Sequence, residues 1–218
     1  MSTTKSSVKP NYPGPRDLSD TKPLKTQSDL VTAAFDGLVL CPVDLTASDL
    51  RVLDSRTADG LFLRQLRSML AYPDSATLIG TDIAPFEQNV DKPDYIEWHK
   101  QDINADWPEV TGMVRFGSFG LNNHAGDKLD NLLSATGEVT EIGHKEAAIL
   151  LGVSAEDEET RQAGRGWLSG LRHAVGNGLA KMSQTAWNDL VIKVDDQSDA
   201  TGVGFKWWAA WGKRKISA

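Results

Sequence analysis

The chain is predicted to fold as an α/β domain on a mostly parallel sheet, and two stretches carry that prediction. The first is Leu50 to Asp82, LRVLDSRTADGLFLRQLRSMLAYPDSATLIGTD, which reads as strand, tight loop, helix and a second strand ending in an acid. Arg51 to Asp54 is a short apolar run between polar residues. Leu61, Phe62, Leu66, Met69 and Leu70 follow close to a helical stripe, and Thr77 to Gly80 returns to strand composition. A strand–loop–helix–strand unit of this length makes a right-handed parallel crossover. The second stretch, Tyr95-Ile96-Glu97-Trp98-His99, alternates like a strand and delivers Gln101 and Asp102 to its C-terminal end, where such sheets bind ligands.

In chain order, residues 1 to 24 are rich in proline, serine, threonine and lysine and poor in large apolar groups. They are read as a flexible arm ahead of a single domain over 25 to 218. Gln27 to Leu40 sets Leu30, Ala33, Ala34 and Leu38 on one helical face, with Ser28 as N-cap and Pro42 ending the segment. Beyond Asp82, Pro85 and Pro93 restrict any helix to a short one. A fourth strand is expected at Met113 to Phe116, a short helix at Lys128 to Leu133 and a fifth strand at Glu138 to Gly143. Ala147 to Met182 reads as helical, with Ser154 as cap and a break near Gly164, Gly166 or Gly176. Leu190 to Val194 and Val203 to Trp211 read as two strands joined by a polar turn. Trp207, Trp208 and Trp211 cannot all face one side of the second strand, which places at least one ring in a cleft or an interface.

Chemistry is thinly marked. Asp102 is either a site residue or the acceptor of an Asx turn. His124, beside Asn123 in the loop after the fourth strand, is the first candidate for proton transfer, because imidazole titrates near neutrality; a surface histidine is the alternative. Glu141 and His144, near the end of the fifth strand, are not expected to pair.

Four segments, VLDSRTADG at 52 to 60, LIGTDIAP at 78 to 85, WHKQDINADWPE at 98 to 109 and LLSATGEVTEIGH at 132 to 144, resemble the class I S-adenosylmethionine (SAM)-dependent methyltransferases. The similarity is greatest to small fungal enzymes of specialised metabolism and covers roughly residues 30 to 145. It implies a Rossmann-like methyltransferase fold, a mostly parallel seven-stranded sheet ending in a C-terminal antiparallel hairpin, here with a reduced lid. By the same matching Asp54, Gly60, Asp82 and Asp102 are the cofactor positions, Asp82 for the ribose and Asp102 for the adenine amino group. Arg56 and Ala58 stand where the family carries two loop glycines, and glycine there lets backbone approach a ligand. The expectation is therefore no cofactor, with SAM as the alternative if Arg56 swings outward. The resemblance then allows a cyclase or isomerase of the pericyclase kind, since some fungal methyltransferase-like proteins are pericyclases. Phe86, Phe116, Phe119, Trp207, Trp208 and Trp211 would be substrate walls, and Asn123 and His124 the donors. An active small-molecule methyltransferase and a non-catalytic partner of one are the other readings.

Composition fits this frame. The 218 residues are 40% hydrophobic and carry a net charge of −7, which disfavours nucleic acid and anionic membranes as partners and points to a small molecule. One cysteine, Cys41, excludes an internal disulfide and a thiolate metal cluster; with no secretory signal or membrane-length apolar run, the cytoplasm is expected. Phosphate-loop, zinc-protease and nucleophile-elbow motifs are absent. The sequence leaves the oligomeric state open.

Overall fold

A computed structural model describes residues 18–55, 57–83, 92–102, 128–165 and 183–215. Strands β1 (Arg51–Ser55), β2 (Thr77–Asp82) and β3 (Ile96–Lys100) form a parallel sheet in that order, Leu53 lying opposite Ile79 and Ile79 opposite Glu97. Helix α2 (Leu61–Arg67) makes the crossover from β1 to β2. Its buried side is Leu63 and Leu66, continued by Leu70; Leu66 and Leu70 belong to the predicted stripe, whereas Met69 is exposed and Leu63 takes the inward place instead. These leucines pack on Leu78 and Ile96, and each fully buried one contributes about 1.5–3 kcal/mol. The end of α2 is fastened by Arg67, which donates to the Pro73 carbonyl, pairs with Asp74 and lies over the Tyr95 ring.

Ahead of this unit, α1 (Leu18–Phe35) begins well before the predicted Gln27 and takes in the end of the stretch read as an arm. Ser28 is thus mid-helix, and its Oγ sits 3.3 Å from Gln65 Oε1 of α2 instead of capping. Leu30 and Ala34 pack inward as the periodicity predicts, whereas Ala33 is exposed.

The C-terminal part departs most from expectation. After α3 (Leu129–Ala135), strand β4 runs for 13 residues, Val139–Leu151, and pairs antiparallel with β5 (Val203–Arg214) in a separate two-stranded sheet. The seven-stranded sheet is therefore not formed among the described residues, which hold a three-stranded and a two-stranded sheet; the predicted fourth strand lies outside them. Ala147 to Leu151 extends the strand instead of opening a helix, because Ala147, Ile149 and Leu151 are buried at a spacing of two. That buried row meets Leu30 of α1 together with Phe205 and Trp207 of β5, so α1 closes one side of the ribbon. Between Thr140 and Gly143 the register shifts, two residues of β4 standing against Gly212 of β5, and Glu141 there has φ 50°.

Leu190 to Val194 is not a strand. It lies in α4 (Gln184–Thr201), so the predicted terminal hairpin is replaced by the long-range pairing of β5 with β4. A run such as Leu-Val-Ile-Lys-Val suits either period, and the termini decide: Ser183 Oγ accepts the Ala186 N–H at 3.2 Å, and Gly202, at φ 74°, ends the helix. Likewise Ser154 lies in a 3₁₀ turn (Gly152–Ser154), and the helical residues 158–165 are capped by Asp157, whose Oδ1 accepts the Thr160 N–H at 2.7 Å. Backbone and hydroxyl contacts from Thr160 hold the Asp157 carboxyl below its usual range.

Gly152 is the hinge between the ribbon and these helices. Its φ is 65°, and a Cβ there would run into the backbone carbonyl of Ser198, a buried residue of α4. Gly137, at φ 71°, has no atom within 4 Å of where a Cβ would stand. We expect Gly152→Ala to destabilise by on the order of 2–4 kcal/mol, strain plus overpacking, and Gly137→Ala by about 1 kcal/mol. Urea unfolding of the two variants checks this; equal losses would mean that the Ser198 contact does not constrain the fold.

Candidate functional site

The C-terminal edge of the parallel sheet gathers acids on three neighbouring strands. Asp54 is the fourth residue of β1, Asp82 the last of β2, and Asp102 lies two residues beyond β3. The loop from β1 to α2 covers this edge. Thr57 N–H donates to the Thr81 carbonyl at 2.9 Å, Gly60 N–H to the Thr57 carbonyl at 2.8 Å, and Ala58 N–H to Asp82 Oδ2 at 3.2 Å. Ala58 is held at φ 49°, a conformation that costs a non-glycine residue roughly 1–2 kcal/mol, and the bond to Asp82 is among the contacts that offset it. Asp82 is 4% exposed, so the predicted ribose carboxylate is buried against its own loop.

Two glycines are explained by packing. A Cβ on Gly60, φ 76°, would stand 2.5 Å from the Trp98 ring of β3, and one on Gly80 would stand 2.9 Å from Thr57 Cγ2. The retained Gly60 thus allows helix and strand to approach closely. Asp59, which the sequence reading passed over, is buried: Oδ1 accepts the Leu61 N–H at 3.1 Å, while Arg64 donates to Oδ2 at 3.1 Å and to the Asp59 carbonyl at 3.0 Å. Its signal was available as an acid two residues before a helix start. Burial pushes the Asp54 carboxyl up, the Thr57 hydroxyl works against that, and the charges of Asp82 and Asp59 add to the rise. Asp102 is half-buried, with its carbonyl accepting Gln101 Nε2–H at 2.9 Å.

A ribose diol needs a carboxylate acceptor at the cleft, and one oxygen of the buried Asp82 accepts the Ala58 N–H. Arg56 lies outside the described residues, as do Phe86, Phe116, Phe119, Asn123 and His124.

The three C-terminal tryptophans are sorted by the ribbon. Trp207 joins the core with Leu30 and Ile149, and Trp211 covers Gly143, where a Cβ would stand 2.5 Å from the ring. Trp208 faces the other way and donates Nε1–H to Glu146 Oε2 at 3.0 Å. It lines a pocket of about 180 Å³ with Leu129, Asp130, His144, Glu146, Ala209 and Ala210. As expected, Glu141 and His144 do not pair: Glu141 meets Lys213 at 3.2 Å and His144 Nδ1 faces Asp130 Oδ2 at 3.6 Å. The partner comes from α3, 14 residues upstream, which no local pattern reveals.

Over 85 residues the chain is 36% identical to the N-methyltransferase gliN of Aspergillus fumigatus, a match covering 39% of this chain and 29% of that protein. It is 36% identical over 105 residues to the N-methyltransferase sirN of Leptosphaeria maculans, covering 48% and 36%. The N-methyltransferase verN of Clonostachys rogersoniana matches at 42% over 62 residues, covering 28% and 21%. The chain thus spans about a third or less of the length of these curated relatives. No protein-family profile matches it, and no solved structure does. The relatives support a fungal methyltransferase-like family and, with the α/β architecture, a Rossmann-like fold.

The acid cluster has a stability consequence with a definite sign. Asp54 holds its proton more tightly folded than unfolded, so it lowers stability as pH rises from the ordinary carboxylate range through its raised value. Asp54→Asn is therefore expected to be more stable than the parent at pH 7, the two converging below about pH 4, where both side chains are neutral. Melting temperatures across that range check it; a less stable variant at pH 7 would show that the Asp54 charge is compensated.

Proposed function

We propose that this relative of the fungal specialised-metabolism methyltransferases has given up SAM-dependent methylation and acts on an apolar biosynthetic intermediate as a SAM-independent cyclase or isomerase. The observation that carries the first half is the loop after β1, where Arg56 and Ala58 stand in place of two family glycines and the Ala58 N–H is bonded to Asp82, itself 4% exposed. The ribose of a cofactor would have to share that buried carboxylate with the loop. The second half rests on what remains when the cofactor is taken away: a chain with seven tryptophans and a methyltransferase-like frame. A pericyclic step needs no nucleophile. Walls that hold the substrate in a near-attack shape lower the entropic part of the barrier, and one donor polarises a conjugated carbonyl. Phe86, Phe116 and Phe119 are the proposed walls, and Asn123 and His124 the proposed donors. The cytoplasm is the proposed compartment.

A second reading, an active small-molecule N-methyltransferase, is favoured by the names of the relatives. Calorimetry and product analysis separate the two. On the first reading SAM gives no saturable binding at micromolar concentration, and the pathway intermediate is converted to an isomer without it. A dissociation constant in the low micromolar range, about −8 kcal/mol, together with a product heavier by one methyl group, would establish the second. Conversion of nothing under either condition, with tight association to an intact methyltransferase, would make the chain a non-catalytic partner.

A further inference from the structure

We propose that the pocket between α3 and the outer face of the β4–β5 ribbon is a second binding site, separate from the acid cluster, for a compact aromatic ring bearing a nitrogen donor. The register places His144 opposite Ala210 and Glu146 opposite Trp208, so these four share one face, and α3 brings Leu129 and Asp130 over it. Two small residues, Ala209 and Ala210, leave the opening, and the Trp208 ring and Leu129 give it apolar walls. A volume of about 180 Å³ corresponds to roughly six waters, which suits one ring and a short substituent.

The polar groups set the ligand's character. Glu146 is already occupied on both oxygens, by Lys206 Nζ at 2.7 Å and by the Trp208 indole N–H at 3.0 Å. Those bonds hold the carboxyl below its ordinary range and fix the indole. Asp130 accepts the Asn131 N–H at 2.8 Å through Oδ1, while Oδ2 faces His144 Nδ1 at 3.6 Å, within ion-pairing range but beyond a hydrogen bond. A donor on the ligand would be received by the Asp130 edge and the imidazole, and its ring by the indole. With Glu146 offset by Lys206, the Asp130 carboxylate is the charge that selects against an anion.

The test is titration of the full chain with benzylamine, benzamide and benzoate, following the His144 imidazole by NMR and Trp208 emission by difference from Trp208→Phe. Benzylamine and benzamide should shift His144 saturably, benzylamine more tightly, with no response to benzoate. His144→Ala should weaken binding about tenfold, and His144→Gln, which retains a polar group, less. Added SAM should not compete. Absence of saturation with every probe, benzoate binding as tightly as benzylamine, or affinity unchanged in His144→Ala would each overturn the proposal. If His144→Ala does not fold, an unchanged affinity in Asp130→Asn would overturn it equally. None of these readouts depends on the reading of the cofactor loop.

Discussion

One hydrogen bond governs the parallel half of the molecule: the Ala58 N–H donating to the buried carboxylate of Asp82. In nucleotide-binding sheets the loop after the first strand and the acid after the second face a common ligand from two sides. Here they face each other. With the loop pinned, Thr57 is laid across Gly80, Asp59 is drawn inward to meet Arg64, and three carboxylates come together at an edge from which burial removes water. The cost appears on Asp54, whose proton is harder to lose than it should be. A glycine at position 58 would need no such anchor, since it would reach positive φ without strain.

Much of this half was legible because its signals are local. The apolar run of β1, the alternation of β3 and the apolar periodicity from Leu61 to Leu70 each fix an element without reference to distant residues, and the order of the three strands follows from short right-handed crossovers. The exact buried face of α2 was not, because Leu61 to Leu70 offers two overlapping stripes and only the sheet beneath selects the one through Leu63. The bond between Asp82 and the loop after β1 was hidden as well. Whether an acid at a strand end faces a cleft or its own loop depends on a rotamer and a backbone path, neither of which composition records.

The C-terminal half failed to read from sequence for a different reason. Ala147 to Leu151 and Leu190 to Val194 are both short apolar runs, and each was assigned the period the other adopts. What separated them was outside the runs: a serine cap before one, and for the other a partner strand more than 50 residues downstream. A contact across 14 residues produced the His144 and Asp130 pairing, and the pairing of β4 with β5 divided the tryptophans, Trp207 and Trp211 to one face and Trp208 to the other.

The register shift between Thr140 and Gly143 bears on that division. From Thr140 to Gly143 the chain takes three steps, while its partner takes two, from Lys213 to Trp211. Parity between the strands is therefore reset at one place, and everything beyond inherits the new setting. The division of the faces beyond it, indole against glutamate on one and aliphatic core on the other, follows from unbroken alternation from Gly143 to Leu151. Point substitutions along the ribbon would alter its side chains one at a time, whereas an insertion or deletion at the bulge would change how the Val139–Thr140 end is set against all the rest of the ribbon.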